Sequence, residues 1–163
     1  MSTRELYLLR HGLAVPYGTP GFEDDDRPLT PDGERRVRQV GRGLKRLKLK
    51  LVRIATSPLP RALRTAEIVA DCLGGADLIE VVEGLRPGRD AASIRDWLAT
   101  REESRLMLVG HNPALSDLLG LLVTGREGES ISELRKAGIA GLRGEPGGPY
   151  QLDWIARPRL FRA

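Results

Sequence analysis

The stretch LYLLRHG, residues 6–12, decides the fold prediction because its apolar run stops abruptly on Arg10, His11 and Gly12. Residues 6–9 show no polar alternation, which is typical of a strand buried on both faces of a mostly parallel sheet. In open α/β sheets the carboxyl ends of central strands face the ligand crevice. The stretch therefore predicts a buried strand that delivers a guanidinium group and an imidazole to a site, with Gly12 letting the backbone turn close to a substrate.

A second apolar run ends in the same way. Residues 106–109 lead into Gly110, His111, Asn112 and Pro113. Pro113 predicts the start of a helix and Asn112 its N-cap, so His111 would lie beside backbone N–H groups that suit an anion. The chain has two histidines, and parallel central strands would bring both imidazoles to one crevice.

Helix and strand patterns alternate along the rest of the chain. We predict helices over residues 31–48 (N-cap Thr30) and 60–73, one around Ile94 capped by Asp90 or Ser93, and one ending at Gly125. Further strands are predicted over residues 51–56, 78–82, 139–143 and 150–156, the last two antiparallel to each other. This pattern predicts a three-layer α/β/α sandwich with a mostly parallel central sheet of about five to six strands. We expect one domain over residues 1–163.

Arg61 and Arg64 fall in the first turn of the helix predicted over residues 60–73. Cations are disfavoured at the positive end of a helix, so this placement suggests a compensating anion, although either side chain could reach solvent. Arginine grips phosphate through paired, charge-assisted hydrogen bonds. Together with Arg10 and the two imidazoles, Arg61 would form a site for a dianion. This chemistry indicates phosphoryl transfer through a phosphohistidine, with no required metal.

The overall composition limits the classes of partner. The net charge of +4 and pI near 9.6 favour acidic or phosphorylated partners. The basic cluster in residues 42–53 could contact nucleic acid, although such a run is more often a solvated helix face. Aromatic residues make up 4% of the chain, which disfavours a surface for stacking bases. The single cysteine, Cys72, and the lack of an apolar leader suggest a cytoplasmic protein without a membrane anchor.

The sequence has no motif for nucleotide binding, serine hydrolysis or metal binding. The chain lacks a glycine-rich phosphate loop ending in Gly-Lys-Ser/Thr and the serine-hydrolase elbow. No pair of histidines has metal-ligand spacing, and Cys72 has no cysteine neighbour. We therefore expect neither a metal site nor a cofactor.

The blocks LYLLRHG, RPLTPDG, TSPLPRALRTAE and LVGHNP, in this order, resemble the histidine phosphatase superfamily, and specifically its short SixA-type phosphohistidine phosphatases. The resemblance runs from about residue 5 to residue 124 and implies a phosphoglycerate mutase-like fold. It also implies that His11 is the nucleophile, that Arg10 and Arg61 hold the phosphoryl oxygens, and that His111 completes the pocket. The backbone of Asn112 would add a substrate-binding donor.

The resemblance is less informative about the general acid. In the superfamily this carboxylate usually follows the third strand, where Glu83 is the first candidate and Asp90 the second, but short SixA-type members do not keep the position clearly. The stretch Val15-Pro16-Tyr17 replaces the asparagine and insertions that the mutases of the superfamily carry after Arg-His-Gly. The resemblance therefore favours hydrolysis over mutase chemistry.

These observations predict a metal-independent phosphatase that acts on a phosphorylated substrate, with protein phosphohistidine expected and a small phosphoester as an alternative. A non-catalytic phosphate-binding module would use the same residues. A nucleic-acid binder that uses the basic surface is a weaker hypothesis, and we expect no specific nucleic-acid or membrane partner. Substrate specificity would lie in residues 13–30 and 84–92. The sequence does not specify an oligomeric state.

Overall fold

Six strands form a single sheet in the computed structural model, which describes residues 3–162. They are β1 (Arg4–Arg10), β2 (Arg53–Thr56), β3 (Ile79–Val81), β4 (Arg105–Gly110), β5 (Ile139–Gly144) and β6 (Tyr150–Ala156). Their order across the sheet is β3-β2-β4-β1-β5-β6. Strands β1 to β4 are parallel, whereas β5 is antiparallel to both β1 and β6. The predicted mostly parallel sheet is confirmed, and so is the antiparallel final pair.

Helices cover both faces of this sheet. They are α1 (Pro31–Arg46), α2 (Pro60–Leu73), α3 (Ala91–Ala99) and α4 (Ala114–Thr124). One apolar cluster joins α1 and α2 to the sheet, and a second cluster joins α3 and α4 to it. This is the predicted three-layer α/β/α sandwich. Within residues 3–162, no helix combines the length and the apolar character needed to cross a membrane.

Strand β1 is buried on both faces, which explains its uninterrupted apolar run. Leu6 and Leu8 belong to the cluster shared with α3 and α4, whereas Tyr7 and Leu9 belong to the cluster shared with α1 and α2. Strand β1 pairs with β4 on one side and with β5 on the other. Its carboxyl end therefore lies in the middle of the sheet edge, between two neighbouring strands.

The strand register brings the two histidines together. Arg10 of β1 is paired with Gly110 of β4, so His11 and His111 each follow one member of a register pair. The centroids of the two imidazole rings are 5.2 Å apart. Side chains separated by a hundred sequence positions thus become neighbours because two similar buried runs lie side by side in parallel.

Most predicted boundaries agree with the structure to within one residue, but β2 begins at Arg53 and not at residue 51. The differences in α1 and α4 have identifiable reasons. Helix α2 has the predicted bounds, and Thr30 caps α1 by accepting a hydrogen bond from the Gly33 N–H. Helix α1 ends at Arg46 and not at residue 48, because Lys48 has a left-handed φ of 59°. The prediction that Asn112 caps a helix begun by Pro113 is wrong.

Helix α4 begins one residue later than predicted, at Ala114, with Pro113 in the cap position. The Oδ1 atom of Asn112 nevertheless accepts a hydrogen bond from the Ser116 N–H at 3.2 Å, so this side chain still satisfies a donor in the first turn. The cap assignment failed because the side chain bonds to the helix from one residue before the cap.

Candidate active site

Four side chains form a cationic cup beyond the carboxyl ends of β1 and β4. They are Arg10, His11, Arg61 and His111, and the structure thus brings together the four residues that the sequence predicts for the phosphate pocket. Arg61, near the start of α2, is 4% exposed. The two imidazoles are also buried. The cup therefore concentrates positive charge in a place largely shielded from water.

His11 has its ring orientation and tautomer fixed by its own loop. Its Nδ1 atom lies 2.7 Å from the carbonyl oxygen of Gly12. Because a carbonyl oxygen only accepts hydrogen bonds, Nδ1 carries the hydrogen and Nε2 keeps its lone pair. Burial lowers the pKa of His11 to about 4, and the charges of Arg61 and Arg10 act in the same direction. His11 is therefore neutral near pH 7, with a nucleophilic nitrogen.

His111 is held through its Nε2 atom, which leaves Nδ1 without a hydrogen-bond partner among residues 3–162. Its Nε2 atom lies 2.8 Å from the Ser57 Oγ, which also accepts a hydrogen bond from the Leu59 N–H. When the Ser57 hydroxyl donates to Nε2, the ring hydrogen of His111 is on Nδ1, the nitrogen that has no hydrogen-bond partner within residues 3–162. Burial lowers the pKa of His111 to about 3, and the proximity of His11 and Arg61 adds to this effect.

The two arginines of the cup are held by backbone carbonyls and not by carboxylates. Arg10 Nη1 donates to the Leu134 carbonyl oxygen, and Arg61 Nη1 donates to the Asp24 carbonyl oxygen, each at 3.0 Å. Burial lowers the pKa of both guanidinium groups, which means that their charge is costly without an anion nearby.

Unpartnered donors are concentrated in the cationic cup. Among residues 3–162, four buried side-chain nitrogen or oxygen atoms lack a hydrogen-bond partner, and three of them are Arg10 Nε, Arg61 Nε and His111 Nδ1. The fourth, Arg53 Nε, lies outside the cup and 3.8 Å from the carboxylate of Glu80. Buried polar groups are nearly always satisfied, so a group of unpartnered donors indicates a bound acceptor. Two cations and a neutral imidazole N–H suit the oxygens of a phosphoryl group.

Thr65 links the two halves of the cup. Its Oγ1 atom accepts a hydrogen bond from the Gly12 N–H at 3.0 Å and donates to the Arg61 carbonyl oxygen at 2.8 Å. The small size of Gly12 is explained by packing against α1, because a Cβ atom there would lie 2.5 Å from Val37 Cγ2. Gly12 thus allows a close approach to a helix, where the sequence predicted an approach to a substrate.

Known proteins resemble this chain in sequence. The sequence pattern of the histidine phosphatase superfamily (branch 1) matches residues 6–87. The chain belongs to the histidine phosphatase superfamily. It is 41% identical to an uncharacterised protein of Picosynechococcus sp., over 85% of this chain and 84% of that protein. It is 28% identical to the phosphohistidine phosphatase SixA of Escherichia coli, over 94% of each chain.

A solved structure extends this similarity to three dimensions. The protein histidine phosphatase SixA complexed with tungstate superposes with a TM-score of 0.85 at 26% identity. The superposition covers 97% of this chain and 99% of the SixA chain. The predicted phosphoglycerate mutase-like fold of the superfamily is therefore confirmed.

The two candidate general acids of this superfamily member lie outside the cup's hydrogen-bond network. Glu83 begins a short 3₁₀ turn after β3, and its exposed carboxylate pairs with Arg86. Asp90 caps α3 through a hydrogen bond from the Ser93 N–H at 2.8 Å, and that bond lowers the pKa of Asp90, which is unfavourable for an acid. Within the described part of the chain, neither carboxylate forms a hydrogen bond or ion pair with a cup side chain. Both roles stay predictions.

Asn112 supports the cup indirectly. Its Nδ2 atom donates to the Leu134 carbonyl oxygen at 2.9 Å, the same oxygen that accepts from Arg10. Its Oδ1 atom accepts hydrogen bonds from the backbone and side chain of Ser116. The Asn112 side chain is therefore engaged in positioning Arg10. Substrate contact through its backbone stays a prediction.

Sequence reasoning missed the residues that orient the cup. Ser57 follows β2 at the same sheet edge as His11 and His111, and this position was the available signal. Thr65 lies four residues after Arg61 on α2, so helical spacing could have linked the two. The Leu134 carbonyl had no sequence signal, because its role depends on how the irregular segment after α4 returns to β1.

Proposed function

We propose that this member of the histidine phosphatase superfamily hydrolyses phosphorylated substrates through a phosphohistidine at His11, and that its substrate is a protein phosphohistidine. The family and the similarity to SixA support a phosphatase. The observation that carries the proposal is the set of unpartnered buried donors on Arg10, Arg61 and His111, beside a neutral histidine. Those donors match the oxygens of a phosphoryl dianion.

In the first step the Nε2 lone pair of His11 attacks phosphorus. A nitrogen–phosphorus bond forms as the bond to the leaving group breaks, and the leaving atom keeps the bonding electrons. Arg10 and Arg61 neutralise the charge on the phosphoryl oxygens, while His111 Nδ1–H donates a further hydrogen bond. The Gly12 carbonyl stabilises the positive charge that develops on the His11 ring through the Nδ1 hydrogen bond.

In the second step water attacks the phosphorus of the phosphohistidine. The new oxygen–phosphorus bond replaces the nitrogen–phosphorus bond, whose electrons return to His11 Nε2. The water proton leaves with phosphate or passes to solvent. The enzyme is restored with a neutral His11, and inorganic phosphate is released.

The choice of protein phosphohistidine follows from the leaving group. A phosphorylated imidazole that carries a proton on its other nitrogen leaves as neutral imidazole, whereas an alkyl ester requires an acid to protonate its oxygen. Within residues 3–162, the hydrogen bonds and ion pairs of Glu83 and Asp90 go to residues outside the cup. The arrangement therefore supports substrates with good leaving groups over ordinary phosphate esters.

The proposal is tested by trapping the enzyme intermediate. The wild type should hydrolyse an aryl phosphate in the presence of EDTA and, when quenched during turnover, carry acid-labile, base-stable phosphate. His11→Asn should lose both, with kcat lowered by at least about 10³-fold. A phosphohistidine protein should be a better substrate than the same protein phosphorylated on serine.

Three outcomes would contradict parts of this proposal. Full activity of His11→Asn would remove the assigned nucleophile. Tight phosphate binding without turnover of any substrate would indicate a phosphate-binding module. A preference for small phosphoesters over the phosphohistidine protein would make the chain a phosphomonoesterase of the same superfamily.

A further inference from the structure

A groove of about 1080 Å³ opens beside the cationic cup, and Arg10 lines both. Its walls come from residues 132–136, the end of β6, α1 and the 3₁₀ turn Pro158–Phe161. The lining includes six further cations, which are Arg36, Arg135, Lys136, Arg157, Arg159 and Arg162. One carboxylate, Glu133, is also among the lining residues. We call this feature the basic groove.

Most cations of the basic groove lack an acidic partner. Arg36 pairs with Asp32. The other five cations are exposed and pair with no carboxylate within residues 3–162. Several arginines elsewhere on the surface do have carboxylate partners, since Arg64 pairs with Glu34 and Arg143 with Asp153. Like charges held together without counter-charges repel one another and attract an anionic surface.

The basic groove is built into the fold. The turn Pro158–Phe161 is fixed to α1 because Phe161 is buried against Gly43, where a side chain would clash with its ring. Arg46 also donates a hydrogen bond to the Phe161 carbonyl oxygen at 3.1 Å. Arg159 therefore projects from an anchored segment, so its position relative to the cup is set before a partner arrives.

The basic groove adjoins the cup through Arg10 and Lys136. Lys136 lies in the segment that follows the Leu134 carbonyl, which holds Arg10 in the cup. The charge of Lys136 lowers the pKa of His11, in addition to the effects of burial and of the cup arginines on that pKa. A molecule whose phosphoryl group occupies the cup would therefore extend over Lys136 toward the cations at the end of the chain.

The lining indicates a protein partner. Ile155 and Leu160 line the groove and are 38% and 67% exposed. Arginine beside apolar side chains is typical of protein interfaces. None of the lining residues is aromatic, so bases of a nucleic acid would find no stacking surface there. The volume also reaches the upper end of the range for small-molecule pockets, which is about 300–1,000 Å³.

We propose that the basic groove binds an acidic surface of the phosphoprotein whose phosphohistidine enters the cup. This inference rests on the proposed function and adds a recognition surface to it. Carboxylates beside the phosphohistidine would pair with Arg157, Arg159 and Arg162, which lie outside the cup. Such charge pairing steers the partner and fixes its orientation.

The test compares two synthetic peptides, each phosphorylated on its single histidine with phosphoramidate. One peptide carries glutamates beside the phosphohistidine, and the other carries glutamines. The wild type should prefer the acidic peptide by about tenfold in kcat/KM, because several exposed ion pairs contribute together. The preference should weaken as salt is added. The triple variant R157Q/R159Q/R162Q should lose most of the preference.

A matched control removes the same charge elsewhere. Lys45, Lys48 and Lys50 are exposed, and Lys48 and Lys50 line a separate depression with Glu5 at the start of β1. The variant K45Q/K48Q/K50Q should keep the full preference for the acidic peptide. Equal loss in both triple variants would show a general charge effect and overturn the groove assignment, and so would the absence of any preference in the wild type.

A binding measurement separates this inference from the proposed function. Fluorescence anisotropy with the unphosphorylated acidic peptide should show weaker binding to R157Q/R159Q/R162Q than to the wild type or the control. If the wild type hydrolyses no substrate but the triple variant binds the peptide more weakly than the wild type, the groove is supported and the phosphatase is contradicted. Equal peptide binding by all three active proteins would contradict the groove alone. Stronger competition by single-stranded RNA than by polyglutamate would identify a nucleic-acid surface instead.

Discussion

Two clusters of buried or half-buried charge differ in how their charges are satisfied. In the cationic cup, Arg10 and Arg61 make no ion pair within residues 3–162, and their Nε atoms have no partner. In the second cluster, Arg101 donates hydrogen bonds to both carboxylate oxygens of Glu80 and also pairs with Glu103. We call this second group, which lies before β4, the Arg101 cluster.

Paired charge in the Arg101 cluster serves stability, whereas unpaired charge in the cup serves binding. Hydrogen bonds from Arg101 hold the pKa of Glu103 at about 2, so the charged pair is favoured in the folded protein. Burial in the cup has the opposite effect, because it lowers the pKa of Arg61 and destabilises its charge. The cations of the Arg101 cluster lie beside carboxylates of the folded chain. The charge of the cup is balanced when the cup holds an anion.

The largest effect is expected from removing a cup arginine. Arg61→Gln should lower kcat/KM for an aryl phosphate by about 10²–10³-fold, as loss of one charge-stabilising donor typically does. Steady-state kinetics would measure this, with Arg101→Gln as the matched control that keeps kcat/KM within about twofold. Similar losses in both variants would mean that unpaired charge does not mark the site.

The next largest effect is expected from acid, because lowering the pH should reduce the stability of the folded protein through His11 of the cup. The pKa of His11 is about 4 in the folded protein against an ordinary value of 6.5, so between these values the unfolded chain binds the extra proton. Stability is then lost as the pH falls below about 6.5, at about 1.4 kcal/mol per pH unit for each such histidine. Denaturant unfolding in phosphate-free buffer would measure the slope.

The control for this prediction removes one histidine. In His11→Asn the free energy of unfolding should depend less steeply on pH, because the contribution of one histidine is missing. If the wild type and His11→Asn lose stability equally steeply between pH 6.5 and about 5, the neutral, buried state of His11 is contradicted. Adding phosphate should also flatten the wild-type slope, because an anion in the cup favours the protonated ring.

The sequence predicted the site's core because that core depends on repeated local patterns. The runs before His11 and His111 are buried on both faces, so their equal endings predict parallel neighbours with adjacent imidazoles. Arg61 was detectable because its place in the first turn of α2 is electrostatically unfavourable. Such signals can be recognised from the sequence alone because each belongs to a single strand or helix.

The remaining features depend on contacts between distant segments. The Leu134 carbonyl orients Arg10 across 124 sequence positions. The basic groove forms because Phe161 returns to α1 and packs at Gly43. No periodicity in residues 125–136 or 157–162 specifies where these segments lie. Their positions are set by packing against surfaces that other elements create.

A smaller effect on activity is expected from the residue that orients His111. Ser57→Ala removes the hydroxyl that bonds to Nε2, so the ring can adopt either tautomer and Nδ1–H is less often available. We expect kcat to fall by about tenfold with little change in KM, since one hydrogen bond to a buried group is worth about 1–3 kcal/mol. Nitrogen-15 NMR of the histidine rings would report the tautomer directly.

The conservative variant makes the Ser57 prediction specific. Ser57→Thr keeps a hydroxyl and should restore the His111 Nδ1–H tautomer along with most of the activity. An alanine variant with an unchanged tautomer and lowered activity would show that Ser57 acts by packing and not by orienting the imidazole.

The smallest effect is expected from Arg101→Gln, and it concerns stability alone. Arg101→Gln leaves Glu80 and Glu103 with Arg53 alone, whose Nε atom is 3.8 and 3.9 Å from their carboxylates. Arg101 itself is partly solvated, with a side-chain exposure of 19%. Solvent screening therefore limits the loss to about 1 kcal/mol in the free energy of unfolding. The loss should be present above about pH 4.5, the ordinary pKa of Glu103, and should shrink as the pH falls toward its folded value of about 2. Urea unfolding at pH 7 and pH 3 would measure it, and a pH-independent loss would show that Arg101 stabilises the fold through packing on Trp97, whose ring lies 4.9 Å from its guanidinium carbon.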